Sequence, residues 1–121
     1  MKILNIGKDF SADPIGRFRY PDGNRSGEVF REDFLKPALN SLKTHEKLEI
    51  IIDDQVESYG SSFLSEGFAG LVKYGFMTSQ DFHNKIEIKY VNDDFEFYKK
   101  KIIEYVNSAN YNSKPYIPTK S

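Results

Sequence analysis

The chain has 121 residues, 39% of them apolar and 29% charged, a balance that folds rather than staying disordered. That length buries one sizeable core but not comfortably two. A formal net charge of −1 offers no bulk attraction to nucleic acid or an anionic membrane, and the absence of cysteine excludes disulfides and thiolate metal ligands, in keeping with a reducing cytosol.

Met1–Ile6 alternates apolar and polar residues and reads as a first strand, with Ile3 and either Leu4 or Ile6 inward. Its apolar run is too short for a signal peptide, and no stretch approaches the roughly 20 apolar residues that span a bilayer. A cytoplasmic location is therefore expected. Arg17–Tyr20 reads as a short strand before the turn signal Pro21-Asp22-Gly23-Asn24. Ser26 is the expected cap of a helix carrying Val29, Phe30, Phe34, Leu35, Ala38 and Leu42, with Glu28 favourably placed in its first turn and Pro37 expected to break, kink or restart it.

Lys47–Asp53 is the clearest strand; apolar residues on both faces predict a central one. A helix to about Tyr74 follows Tyr59-Gly60-Ser61-Ser62, with Leu64, Phe68, Leu71 and Val72 on one face and Gly75 past its end. Gly67 and Gly70 inside it cost helix stability, so close packing is expected there. Thr78 with Asp81 predicts a short capped helix. Lys85–Val91 reads as a half-buried strand, and Asn92 or Asp93 caps a last helix with Phe95, Tyr98, Ile102, Tyr105, Val106 and Ala109 on its face. The expected organisation is one α/β domain over residues 1–110 and a loose tail over 111–121.

All four arginines, Arg17, Arg19, Arg25 and Arg31, fall in one segment. Arginine suits planar, bidentate recognition of carboxylate or phosphate, so the segment reads as an anion-recognition loop or as a set of local ion pairs with Asp22, Glu28, Glu32 and Asp33. Ser61 and Ser62 open a helix, where unpaired N–H groups favour a phosphate, bound or carried by a serine; alternatively one serine caps the helix. Asp53 and Asp54 stand at a strand end, where a ligand or loop solvation are both open. His45 and His83 lack ligand spacing, Lys99–Lys101 reads as a solvated face, and no phosphate-loop, dinucleotide, nucleophile-elbow or zinc signature is present. No cofactor or metal is expected.

Gly16-Arg17, Ser26-Gly27-Glu28-Val29-Phe30-Arg31, Leu35-Lys36-Pro37 and the block from Tyr59 to Leu71 resemble the bacterial and phage STAS-like domain family of unknown function. The likeness runs from the first strand to the last helix. It implies an α/β fold with a small mixed sheet and helices packed mainly on one face. In the related anti-sigma-factor antagonists a serine at the start of a central helix is phosphorylated by a partner kinase, and Ser61 or Ser62 occupies the comparable place. Those proteins carry an acidic residue before the serine pair and a glycine after it, where this chain has Gly60 and Phe63.

The resulting expectation is a non-catalytic regulatory or protein-interaction module, a partner switch modulated by phosphorylation at Ser61 or Ser62, with a histidine-kinase-type ATPase as its partner. The residues expected to meet an anion or partner are Arg17, Arg31, Glu28, Tyr59, Gly60, Phe63 and Glu66. The competing readings are a sensor of nucleotides or other small anions, and a hydrolase built on Asp53 or Asp54. A homo-oligomer formed through a sheet edge or the tyrosine-rich tail is left open.

Overall fold

The computed structural model describes residues 2–120; Met1 and Ser121, which the first predicted strand and the predicted tail include, lie outside the described residues. Three strands, β1 (Lys2–Asn5), β2 (Leu48–Ile51) and β3 (Ile86–Lys89), form a sheet in the order β1-β2-β3, with Leu4, Ile50 and Ile88 in register. Both pairings are parallel. The α/β class thus stands, but the sheet is all-parallel among the described residues rather than mixed. Parallel strands need long crossovers, and the helices supply them: α1 (27–40) between β1 and β2, then α2 (61–73) and α3 (Ser79–Lys85) between β2 and β3. The last helix, α4 (Glu96–Ser108), follows a single 3₁₀ turn, Asp93–Phe95, capped by the Asn92 side chain.

Side-chain alternation decides which face of the sheet is covered. Leu4, Leu48, Ile50, Ile86 and Ile88 are buried against the helices, whereas Glu49, Ile51 and Glu87 on the other face are half-buried and Ile3 and Lys89 exposed. Ile3 therefore points away from the core, opposite to the sequence expectation, and Leu4 with Ile6 points in. The helices add Phe30, Leu35, Phe63, Phe68, Leu71, Phe82, Ile102 and Val106 to one continuous core. Phe10, Phe30, Phe63 and Phe68 pack ring to ring in tilted pairs with centroids 5.4–6.0 Å apart, the geometry aromatic quadrupoles prefer.

Two helices contain wide π-type turns. In α1 the stretch Phe30–Leu35 is π-helical, and the Lys36 N–H donates to the Arg31 carbonyl, five residues back. The α-helical bonding restarts at Lys36 with Pro37 in the first turn of the new stretch, so the interruption expected of the proline falls in the turn just before it. A proline has no N–H to donate and crowds the carbonyl four residues back, and the widened turn just before it relieves both demands. In α2 the π-helical stretch is Ser65–Ala69. Where α1 and α2 cross, their backbones approach closely: a Cβ on Gly27 would lie 2.7 Å from the Phe63 carbonyl oxygen and 2.8 Å from the Gly67 nitrogen.

Arg17–Tyr20 is not a strand. Arg19–Asp22 is a single helical turn, non-helical at Tyr20, with a cis Tyr20–Pro21 peptide.

Candidate functional site

The start of α2 faces the arginine-bearing loop. Gly60, not a serine, occupies the N-cap position of α2, with extended backbone and no side-chain cap. Ser61 and Ser62 are therefore the first two helical residues, Ser61 exposed and Ser62 half-buried. Across from them Arg17 Nη2 lies 3.5 Å from Ser62 Oγ, and Nη1 lies 3.5 Å from Glu66 Oε1.

The loop that presents Arg17 is held by three devices. Gly16 adopts φ of +93°, a left-handed conformation that L side chains rarely take, and a Cβ there would meet the Asp22 Cβ at 2.6 Å. The Asp22 carboxylate accepts the N–H groups of Arg17 and Phe18, each at 3.0 Å, and those bonds hold its pKa below the usual carboxylate range. The Glu28 N–H, in the first turn of α1, donates to the Arg17 carbonyl at 3.0 Å.

Arg31 is 1% exposed. Its Nη1 donates to the Glu66 carboxylate at 2.9 Å and to the Glu66 backbone carbonyl at 2.7 Å, while Nε donates to Glu32 at 2.8 Å. Burial pushes the guanidinium pKa down, but the bonds to Glu32 and Glu66 outweigh it and the net shift is upward. The Tyr74 hydroxyl donates to Glu66 Oε2 at 2.8 Å; burial first, and then this bond, raises the phenol. Among the described residues, Arg31 Nη2 is buried without a hydrogen-bond partner, though the rings of Tyr74 and Tyr116 lie 4.7 and 4.9 Å from Cζ. Glu28 is equally buried and accepts four hydrogen bonds, from the Arg19 N–H, the Tyr116 hydroxyl and the N–H and hydroxyl of Thr119.

These positions correct several expectations. Arg31 and Glu66 form a buried ion pair, with Arg31 covered by Tyr74 and by Tyr116 of the tail, rather than an open site for an anion. Tyr59 and Phe63 belong to the core: the Tyr59 ring packs on Phe63 and its hydroxyl donates to the Ile52 carbonyl at 2.6 Å. Each arginine has a carboxylate partner, Arg17 with Glu66, Arg19 with Asp33, Arg25 with Asp13, and Arg31 with Glu32 and Glu66. Of the residues expected to meet a partner, Arg17, Gly60 and the two serines remain at the surface. Asp53 accepts the N–H groups of Val91 and Asn92, and Asp54 accepts the Asn5 side-chain amide, so both carboxylates tie loops to the strand ends.

The tail is the largest departure. It has no regular secondary structure, but Tyr116 and Thr119 are seated on Glu28 and Arg31. Tyr74, Tyr116 and Thr119 all escaped the sequence reading. The one local signal was the Tyr116-Ile117 pair set between Pro115 and Pro118.

The parallel sheet with its helices and the Ser61–Ser62 turn agree with a match to the family described as the STAS-like domain of unknown function, which covers residues 26–96, more than half of the chain. The chain belongs to that family. The match to this STAS-like domain takes in Ser26, Glu28, Arg31, both serines and Glu66 but stops short of most of α4 and of the tail. No curated protein and no solved structure matches this STAS-like chain. Among its described residues no helix is long and apolar enough to cross a membrane, and no group of three or more His, Cys, Asp or Glu side chains could hold a metal ion.

Proposed function

We propose that this STAS-like domain is a non-catalytic regulatory module, a switch whose affinity for a protein partner changes when Ser61 or Ser62 is phosphorylated. One observation carries the reading: the hydroxyls of the first two residues of α2 are not spent on capping, and the one on Ser62 sits under the guanidinium of Arg17. A phosphate there adds close to two negative charges at a helix N-terminus. On Ser62 it draws Arg17 from Glu66 into a charge-assisted bond; on Ser61 it projects into solvent. Either event rewrites the charge of the surface that a kinase-type ATPase would read. A small-anion sensor is less favoured, because an incoming anion must compete with a carboxylate for every arginine.

The test is phosphosite mapping and intact mass on protein purified from its native cells, together with identification of what co-purifies. The expected result is one phosphate on Ser61 or Ser62 and a partner retained by only one of the two forms. If Ser61→Ala and Ser62→Ala both leave phosphorylation and partner affinity unchanged, the reading fails.

A further inference from the structure

Beyond α4 the chain turns back along α1 and α2. The Asn112 N–H donates to the Val72 carbonyl at 2.9 Å and the Lys114 N–H to the Lys73 carbonyl at 3.3 Å, both contacts that any sequence could make. From Tyr116 onward the contacts depend on side chains. The Tyr116 hydroxyl donates to Glu28 Oε2 at 2.6 Å. The Thr119 hydroxyl donates to Glu28 Oε1 at 2.6 Å and accepts the Tyr20 N–H at 3.1 Å, while the Thr119 N–H reaches Glu28 Oε2 at 3.2 Å. The Tyr116 ring covers the Arg31 guanidinium and packs on Tyr74, centroids 5.5 Å apart.

Part of the receiving surface is held by residues outside the segment it receives. Glu28 and Arg31 lie three residues apart on α1, each 1% exposed with the tail seated on them. Glu28 is steered by the Arg19 N–H, and Arg31 by Glu32 and Glu66. One carboxylate takes two hydroxyl donors spaced i, i+3 on a segment without regular secondary structure, and one fixed guanidinium takes the ring of the first. That is the division of labour found in peptide recognition: charged groups preorganised by the receptor, with donors and an aromatic anchor supplied by the ligand.

We propose that the Glu28–Arg31 slot is a docking site for a Tyr-x-x-Thr segment, filled in a single chain by its own residues 116–119 and in trans by the same segment of a second copy. The second copy follows from identity of sequence. Exchanging tails between two chains preserves every contact just described and alters only the connection near residues 109–111. The covalent link gives the chain's own segment an effective concentration on the order of millimolar, so exchange emerges when that segment is weakened. The proposal does not depend on modification of either serine.

Two full-length variants test it. Tyr116→Phe/Thr119→Val keeps the slot and weakens the segment; Glu28→Gln keeps the segment and weakens the slot. Circular dichroism first checks that each is folded, and Thr119→Val alone replaces the double variant if that is not. A labelled peptide of residues 110–120 should bind the segment-weakened chain saturably, and at least roughly tenfold more weakly when the peptide itself carries Phe and Val, since each lost bond is to a charged group. In sedimentation velocity the two variants should be monomeric alone and form a 1:1 species when mixed. Absence of peptide binding, or equal binding of both peptides, overturns the docking site. Peptide binding with a mixture that stays monomeric overturns the second copy as its occupant.

Discussion

Arg31 and Glu66 meet inside the protein across 35 residues of sequence, the guanidinium donating to both the carboxylate and the backbone carbonyl of the same glutamate. Each side chain is almost wholly withdrawn from water, so each depends on the other. Removing one partner by Arg31→Met or Glu66→Leu should destabilise the fold by about 3–5 kcal/mol, the cost of a stranded buried charge. The double replacement should cost clearly less than the sum. Urea denaturation in a double-mutant cycle measures the difference, and simple additivity would contradict a coupled pair.

The crossing of α1 and α2 makes a second, graded prediction. Gly27→Ala drives a methyl group into the backbone of α2 and should cost about 1–3 kcal/mol. Gly60→Ser meets nothing within 4 Å of its Cβ, at φ −80°, and places a favoured N-cap residue, so it should not destabilise the fold. Comparable thermal shifts for the two would mean the helices do not approach as described.

Tyr59 and Phe63 separate a core role from a recognition role. Tyr59→Phe leaves the Ile52 carbonyl without its donor and should cost about 1–3 kcal/mol. Phe63→Ala should cost about 3–5 kcal/mol through cavity formation. Unchanged stability with loss of partner binding would instead return both residues to the surface.

Acid should loosen the tail. Burial raises the pKa of Glu28, but bonds from Thr119, Tyr116 and Arg19 outweigh it and hold the carboxyl at about 2, against 4.5 for an unperturbed glutamate. The sign follows from linkage. Above about 4.5 the carboxylate is charged in both the folded and unfolded states, and its full stabilisation is present. As pH falls from there towards about 2 the unfolded chain takes up the proton first, and stability is lost. Chemical denaturation across that window should show a slope that is shallower in Glu28→Gln.

Arg17 is partly exposed, and its ion pair with Glu66 is long at 3.5 Å, so Arg17→Gln should cost less than about 1 kcal/mol. Its effect should appear on modified protein. With phosphoserine installed at position 62, the change in melting temperature caused by the phosphate should shrink in the Arg17→Gln background. An equal change in both backgrounds would show that the phosphate does not engage this arginine.

Much of the secondary structure could be read from local pattern. The caps at Ser26, Thr78 and Asn92 bond as expected, each side chain accepting a first-turn N–H, because capping involves residues two or three apart. The central position of β2 and the inward faces of α2 and α4 followed from apolar spacing. Gly67 was flagged by its helix cost, and it does lie where the two helices touch. Pro37 interrupts α1 as expected, but the form of the interruption, a widened turn before a restarted helix, depends on how α1 seats on its neighbours and not on the proline alone.

The candidate site was legible only in part. The serines were found because helix starts are local; the fate of the arginines was not, because a guanidinium reads the same whether it faces solvent or a carboxylate far along the chain. Arg31, Glu66 and Glu28 are charged residues that composition assigns to the surface, and their burial is offset by partners 35, 88 and 91 residues away. Sequence by itself determined the α/β class, the helix starts and the family, all carried by short-range periodicity and contiguous motifs. Only the tertiary structure decided which charges are buried, which arginine reaches Ser62 and where the tail rests, since desolvation and long-range pairing exist only once the chain has closed on itself.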